Sequence, residues 1–419
     1  MSEHVEKVAI TLAQQALDRY PRIAFEVPPG TTSFEVRLEG SEHIHGLVVD
    51  LGCEGPTGWC GWSGGARRSF VITETDATPG YLPGVPAGTW HVVLGLHNVP
   101  AAGAEVIIRI TFPARSQVDH GPLVPPVARE QRGSSRNLPA PEGMRWFAGD
   151  MHAHSLHSDG ALSLDELAYE AVLSGLDFLA VTDHNTTSHH PQLASVGRRH
   201  GITLLPGQEI TTHRGHANAY GEIGFIDFRK TAQHWVHDVE ARGGWMSVNH
   251  PVSGDCSWLH PLKDLPAGVE LYHGSWFQEP NSTSVLAWEQ RWNNDAVLIG
   301  GGDFHNRSTP LRPGMPTTWI AATDDSAEAL LAGLREGRTT ITAGAAITDQ
   351  VARPDLMATP VLLRQGGELL ALAAQDLVLV SGVGDRRLVV STCETLTAPL
   401  AQGPYRLEDA ERRVLALVR

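Results

Sequence analysis

The sequence predicts an α/β protein, with a (β/α) barrel set between an N-terminal antiparallel β-sandwich and a small C-terminal β-rich appendage. Three observations carry that expectation. Between residues 22 and 113, short runs of alternating polarity are separated by Gly/Pro-rich turns. From 146 to about 336, apolar runs alternate with stretches of helical pattern, the signature of parallel β/α units. Beyond Gly344 short apolar runs return. At 419 residues the chain is too long for one ordinary core, and the boundaries fall at 1–140 (sandwich plus linker), 141–345 (barrel) and 346–419 (appendage).

In chain order, residues 4–18 read as a short amphipathic helix with Val5, Val8, Leu12 and Ala16 on one face. Sandwich strands follow at 34–38, 69–73, 90–96 and 105–111. Two aromatic loops, 58–65 with Trp59 and Trp62 and 79–84 with Tyr81 and Leu82, read as packing against the sandwich or the next domain, with a lip over a substrate site as the alternative. Residues 114–143, with Pro122, Pro125, Pro126, Pro139 and Pro141, form a linker. Ser163 and Glu166 then make a capping box that opens a helix ended by Gly175. Strands are expected at 178–181, 202–205, 245–248, 269–272, 296–299 and 317–321, with helical segments near 189–200, 229–242, 281–293 and 326–336. In the appendage, 360–363, 369–373, 377–380 and 388–391 are the strand candidates.

Composition removes several function classes. A hydrophobic content of 42% with 43 glycines and 27 prolines fits a globular, turn-rich chain and not a disordered one. The formal charge of −15 opposes phosphate backbones at long range, which argues against non-specific nucleic-acid binding but leaves a small anionic substrate held by metals possible. No run approaches transmembrane length and residues 1–22 lack the apolar core of a signal peptide, so no membrane partner and a cytoplasmic location are expected. Cys53, Cys60, Cys256 and Cys393 have no Cys-x-x-Cys spacing, which argues against a zinc knuckle or a disulfide framework, although Cys53 and Cys60 could meet across a hairpin.

The chemistry concentrates in the barrel. Of 21 histidines, 15 lie between His152 and His305. If 146–151 is a strand, His152 and His154 point to the same face and offer two imidazoles to one ion, with Asp159 on the following turn adding an oxygen ligand. The later strands end at Asp183-His184, at Glu209, at Asn249-His250 and at Asp303-Phe304-His305. Strand C-termini converge on the active site in such barrels, so these distant residues can meet there.

These motifs resemble those of the PHP (polymerase and histidinol phosphatase) domain superfamily. They are His152-x-His154 with Ser158-Asp159-Gly160, Thr182-Asp183-His184-Asn185, Gly207-x-Glu209, Gly215-His216, Asn249-His250-Pro251 and Gly302-Asp303-x-His305. Within that superfamily the chain is most similar to the CehA/McbA-type metallohydrolases. The resemblance covers about 145–310. It implies a distorted (β/α)7 barrel with two or three divalent ions, manganese, zinc or iron. A first ion is implied at His152, His154, Glu209 and Asp303, a second at Glu209, His216 and His250, and a third at Asp159, His184 and His305. Glu209 is the implied bridge, since a carboxylate spans two ions and an imidazole does not. Glu209, Asp303 and His305 are the catalytic candidates, and Arg214 and Arg307 are candidates for holding a phosphate or carboxylate. Asp183 reads as orienting His184 or pairing with nearby backbone, and His157, His189, His190, His213 and His273 as pocket-wall or solvated groups, with protonation of a leaving group by one of them as the alternative.

The leading functional expectation is a phosphoesterase that uses a metal-bridging hydroxide on a small phosphorylated molecule or nucleotide, its substrate a small anionic or aryl ester. The alternatives are hydrolysis of a carbamate, ester or amide at the same centre, and a non-catalytic, metal-stabilised binding module.

Overall fold

A computed structural model describes residues 2–128, 131–277, 284–293, 295–344 and 351–419. The first eight strands are β1 (Ser2–Ile10), β2 (Arg22–Val27), β3 (Ser33–Glu39), β4 (Val48–Gly55), β5 (Gly58–Trp62), β6 (Ser69–Thr73), β7 (Gly88–Asn98) and β8 (Ala104–Phe112). They form two four-stranded antiparallel sheets, ordered β1-β8-β3-β6 and β2-β7-β4-β5. The alternating apolar residues of both sheets bury one core, in which Phe34 meets Trp90 edge-on at 5.0 Å.

The helix expected over 4–18 is a strand as far as Ile10. Residues 2–10 pair in unbroken register with β8, from Ser2↔Phe112 to Ile10↔Ala104. Nine backbone pairings that cover the edge of β8 outweigh a weak helical periodicity. Only Leu12–Leu17 is helical (α1), opened by a capping box between Thr11 and Gln14.

The central region carries β9 (Arg145–Asp150), β10 (Phe178–Val181), β11 (Thr203–Thr212), β12 (Gly215–Tyr220), β13 (Trp245–Val248), β14 (Gly268–His273), β15 (Val297–Gly301), β16 (Thr317–Ala322) and β17 (Thr339–Thr342). Its helices are α2 (Leu164–Leu173), α3 (His190–His200), α4 (Ala232–Ala241), α5 (Ser284–Trp292) and α6 (Ala327–Arg335). The strands run in the order β15-β14-β13-β12-β11-β10-β9-β16-β17. The two ends of the β15-to-β16 stretch approach each other through Thr318, whose hydroxyl donates to the Gly300 carbonyl and accepts from its N–H, both at 2.7 Å.

Strand direction departs from the expected all-parallel pattern. β9, β10 and β11 are parallel neighbours, and so are β13, β14 and β15, but β12 is antiparallel to both β11 and β13, and β16 is antiparallel to β9. The reason is local. Two residues separate β11 from β12, too few for a crossover helix, and Gly215 turns the chain at φ +110°.

The C-terminal strands are β18 (Val361–Gln365), β19 (Glu368–Leu372), β20 (Val378–Val380), β21 (Arg386–Leu388), β22 (Cys393–Thr397), β23 (Tyr405–Glu408) and β24 (Val414–Val418). β18, β19 and β22 form a separate sheet, whereas β24 pairs with β17 and extends the central sheet through β23, β20 and β21. The chain's end is thus laid onto the barrel sheet rather than appended beside it. Among the described residues, no helix is long and apolar enough to cross a membrane. Cys53, Cys60 and Cys393 are free thiols, and Cys53 lies opposite Gly61, not Cys60.

The aromatic loops of the sandwich pack on the central region. Trp59 stacks on Phe225 at 5.2 Å, Trp62 meets Phe228 at 5.0 Å, and Arg229 lies over Trp59 while pairing with Glu54 at 3.3 Å. Tyr81 turns inward instead, stacking on Phe70 at 4.0 Å within the sandwich. Polar seams run beside these rings: Arg67 donates to the carbonyls of Ser158 (3.1 Å) and Leu156, the Trp59 indole to Asn185 O (3.2 Å), and Gly80 N–H to Ser188 Oγ (3.1 Å). The sequence also offers the barrel wall around Trp276 and Phe277 as a partner for these loops, but those two side chains lie outside the described residues. Trp62 is 3% exposed. Trp62→Ala is expected to lower stability by about 3–5 kcal/mol in denaturant unfolding, as for other buried tryptophans; a loss under about 1 kcal/mol would show that the interface packs loosely.

Candidate metal centre

Most of the candidate ligands sit at or just beyond strand ends, while Glu209 lies within β11 and His216 opens β12. β9 delivers His152 and His154, β10 is followed by His184, β11 carries Glu209, β12 begins with Gly215-His216, β13 is followed by His250, and β15 leads to Asp303 and His305. Short strands that end together expose their last side chains into one space, and three of these turns hold non-glycine residues at positive φ: Asn185 (53°), His250 (26°) and Asp303 (51°). Backbone in this region is costly and persists only where the surroundings impose it.

The nine predicted ligands are brought together. Glu209, fully buried, has His152 Nε2 at 3.2 Å, His154 Nε2 at 3.6 Å, His184 Nδ1 at 2.7 Å, His216 Nδ1 at 3.2 Å and His250 Nε2 at 3.4 Å. Asp303 Oδ1 lies 3.2 Å from His152 Nε2 and 2.9 Å from His154 Nε2. Asp159 Oδ1 lies 3.4 Å from His184 Nε2 and 3.3 Å from His305 Nε2. Four overlapping donor groups result: His152/His154/Glu209, Glu209/His216/His250, His154/Asp159/His184/His305, and His152/His250/Glu270/His273.

Tautomers test whether a cation fits. Burial raises the Glu270 carboxyl, but His152 and His273 pull it below its ordinary value, so it is an acceptor and His152 Nδ1–H donates to it at 2.9 Å. His305 Nδ1–H donates to the Asp303 carbonyl at 2.8 Å. With Nδ1 as the donor, a neutral His152 or His305 presents a bare Nε2 lone pair to carboxylate oxygens that also carry only lone pairs, an arrangement that needs either a proton on Nε2, toward which the carboxylates raise both rings against burial, or a cation. His152 Nε2, His154 Nε2 and Asp303 Oδ1 are buried with no hydrogen-bond partner. Lone pairs aimed at lone pairs in a buried site call for protons or cations between them, and the mixed imidazole–carboxylate set suits divalent transition metals. The donors therefore fit the ions.

Electrostatics reflect the same crowding. Burial raises Glu209 and Asp303, yet the surrounding imidazoles, His152 foremost, hold both well below the usual carboxylate range. Burial lowers His184, but Asp159 and Glu209 reverse this and lift it to about 10. His305 rises to about 9 for the same reason, with Asp303 the main opponent of burial. His154 falls to about 4 through burial, reinforced by His305 and His184.

The other sequence candidates have different placements. Arg307 is not directed at the cluster: its guanidinium pairs with Glu170 at 2.7 Å and Glu166 at 2.9 Å on α2. Arg214 donates to the Leu259 carbonyl at 2.9 Å and borders a separate groove with Trp258, His260 and Trp288. Asp183 takes the second of its two expected roles, pairing with nearby backbone: it accepts from Ser155 N–H (2.8 Å), and also from Ser155 Oγ (2.7 Å) and Ser158 Oγ (2.6 Å), and so holds the turn that carries Asp159. His157 bonds Ser188 Oγ at 2.7 Å at the sandwich seam, and His189 bonds two strand carbonyls. His273 lies 3.4 Å from Asp303 Oδ2 and is closer to the cluster than a pocket-wall role implies.

Two supporting residues escaped the sequence reading. Glu270 orients His152 and also accepts the His250 N–H at 2.9 Å. A carboxylate inside the apolar run Val269-Glu270-Leu271 was the available signal, because acidic residues are seldom buried without a partner. Asp150, directly before the first ligand pair, is buried and accepts from the N–H groups of His152 (3.1 Å), Gly302 (2.8 Å) and Gly314 (2.8 Å), which ties the β9 end to the loop bearing Asp303.

Glu209→Gln is expected to lower metal content and turnover more than Asp159→Asn, read by elemental analysis and initial rates, because Glu209 touches two donor groups beyond its own strand neighbours; equal loss in both variants would remove the bridge. Glu270→Gln is expected to weaken metal affinity about 10–100-fold while leaving every ligand in place. Unchanged affinity in a competition titration would show that His152 needs no such support.

Residues 150–259 match the family model described as the PHP domain. A 5'-3' exoribonuclease of Haemophilus influenzae is 39% identical over 64 residues, 15% of this chain and 23% of its own length. A 3',5'-nucleoside bisphosphate phosphatase of Chromobacterium violaceum is 38% identical over 66 residues, 16% of this chain and 23% of its own. The match thus spans under a quarter of the length of these curated relatives. A solved two-domain protein of Bacteroides vulgatus, described as containing a predicted PHP-like metal-dependent phosphoesterase, is 18% identical with a TM-score of 0.40, over 70% of this chain and 92% of that one, a likeness too loose to place one chain's residues on the other. The family match falls on the segment that bears His152, His154, Asp159, His184, Glu209, His216 and His250, and this chain carries a PHP domain there.

Proposed function

We propose that the protein is a metal-dependent hydrolase, and specifically a phosphoesterase acting on a small phosphorylated molecule or a nucleotide. The observation that supports this best is the set of donor groups joined at one buried carboxylate, Glu209, beside a cavity of about 450 Å³ lined by Asp159, His184 and His216. His152, His154, Glu209 and Asp303 would hold one ion, Glu209, His216 and His250 a second, and Asp159, His184 and His305 a third. When bound, clustered divalent ions lower the pKa of water and neutralise charge on phosphoryl oxygens. The chain's own residues do the rest: Glu209 and Asp303 supply the negative charge that holds cations together, Glu270 and Asp150 keep the ligand-bearing strand ends in place, and the aromatic seam of the sandwich limits water at the cavity. Two relatives with short matches to this chain are named as an exoribonuclease and a nucleoside bisphosphate phosphatase, both phosphoester chemistries. The CehA/McbA-type assignment within the superfamily is supported by the β-rich region that precedes the barrel.

Protein stripped by chelator and reloaded with manganese or zinc is expected to bind two to three ions per chain and to regain hydrolysis of phosphate monoesters. Turnover confined to aryl carbamates would move the reading to carbonyl-centred hydrolysis, and a fully loaded chain that cleaves neither would make the ions structural.

A further inference from the structure

The cavity beside the metal centre is built from both parts of the molecule. Asp159, His184 and His216 form one side; Asp50 and Trp62 come from the N-terminal sandwich, and Phe228 completes an aromatic edge. The Asp50 carboxylate has no hydrogen-bond or ion-pair partner among the described residues, in contrast to Glu209, Asp159 and Asp303. It sits over two glycines: a Cβ on Gly95 would lie 2.8 Å from Asp50 Oδ2 and 2.7 Å from the Trp62 ring, and one on Gly65 would lie 3.4 Å from Asp50 Oδ1. The strand therefore makes room for a carboxyl group and an indole at this wall and leaves the carboxyl free toward the cavity. Across from it stand His184 and Asp159 of the barrel, and Tyr20 is the titratable neighbour on its own side.

We propose that Asp50 is the general acid of the proposed phosphoesterase, donating a proton to the leaving oxygen of an alkyl phosphate monoester whose organic part rests on Trp62 and Phe228. The inference rests on the phosphoesterase reading. Of the barrel carboxylates and imidazoles that line the cavity, Asp159, His184 and His216 belong to donor groups and His213 does not, and an alkoxide leaving group needs a proton to depart. In the step, a water oxygen forms a bond to phosphorus and releases a proton to solvent while the ester phosphorus–oxygen bond breaks; the electron pair of that bond goes to the leaving oxygen, which takes the Asp50 proton and leaves as an alcohol. Solvent water then returns a proton to the carboxylate. Burial pushes the Asp50 carboxyl up to about 7, His184 opposing and Asp159 adding to the shift, which keeps a proton on it near neutrality.

The test compares kcat/KM of the full-length, metal-loaded protein and its Asp50→Asn variant on p-nitrophenyl phosphate, whose leaving group needs no proton, and on propyl phosphate, whose leaving group does. Loss of about 10²–10⁴-fold on the propyl ester is expected, with a loss at least about tenfold smaller on the p-nitrophenyl ester. Metal content and circular dichroism equal to wild type establish that the variant is folded, and Asp50→Ser is read in the same way if the amide variant does not fold. Equal losses on the two esters, or none, overturn the general-acid role while leaving the phosphoesterase reading intact. A wild-type chain that cleaves neither ester removes both.

Discussion

A carboxylate at zero exposure with five imidazoles within 3.6 Å is the constraint on which this molecule is built. An isolated buried charge of that kind is costly, so Glu209 can be held there only if its surroundings supply compensating positive charge, from protonated imidazoles or from cations. Every neighbouring feature serves that condition. The strands stop at a common level, the turns after them accept positive φ, and Glu270 and Asp150 hold ring and loop orientations that packing alone does not specify. A dense polar centre is tolerated because the apolar cost is met elsewhere, in layers such as Phe178, Leu205, Trp245 and Ile299 beneath it.

The sandwich bears on the site without offering a residue to the donor groups. Its attachment is mixed: aromatic stacking of Trp59 and Trp62 on Phe225 and Phe228 excludes water, while Arg67, Gly80 and the Trp59 indole bind the turns that carry Asp159 and His184. A domain joined only by apolar contact could slide. One joined by hydrogen bonds to the ligand-bearing turns has its position set relative to them.

Much of the site was legible in the chain because metal ligands are chemically distinctive and sit at strand ends. His152-x-His154, His184, Glu209, His250 and Asp303-x-His305 each follow an apolar run, and parallel β/α order brings such termini to one face. Asp183 and Arg307 were harder, since the same residue types serve structure as readily as chemistry. Asp183 holds a serine turn and Arg307 neutralises two glutamates on α2, and no local pattern separates those roles from orienting a ligand or holding an anion. Residues 2–10 were misread because a nine-residue segment of mixed polarity fits both periodicities, and only the presence of β8 beside it selects the strand.

By itself the sequence determined the division into β-rich, α/β and β-rich regions and singled out nine candidate donors that the fold brings together, because hydrophobic period and ligand chemistry are properties of neighbouring residues. The tertiary structure alone decided that β12 reverses direction, that β24 extends the barrel sheet, that Glu270 and Asp150 support the donors, and that Asp50 reaches the cavity from a domain more than 100 residues upstream of the barrel's Glu209. Those facts are pairings between segments far apart in the chain. Their free energy comes from contacts that exist only once the chain has closed on itself, so no window of sequence contains them.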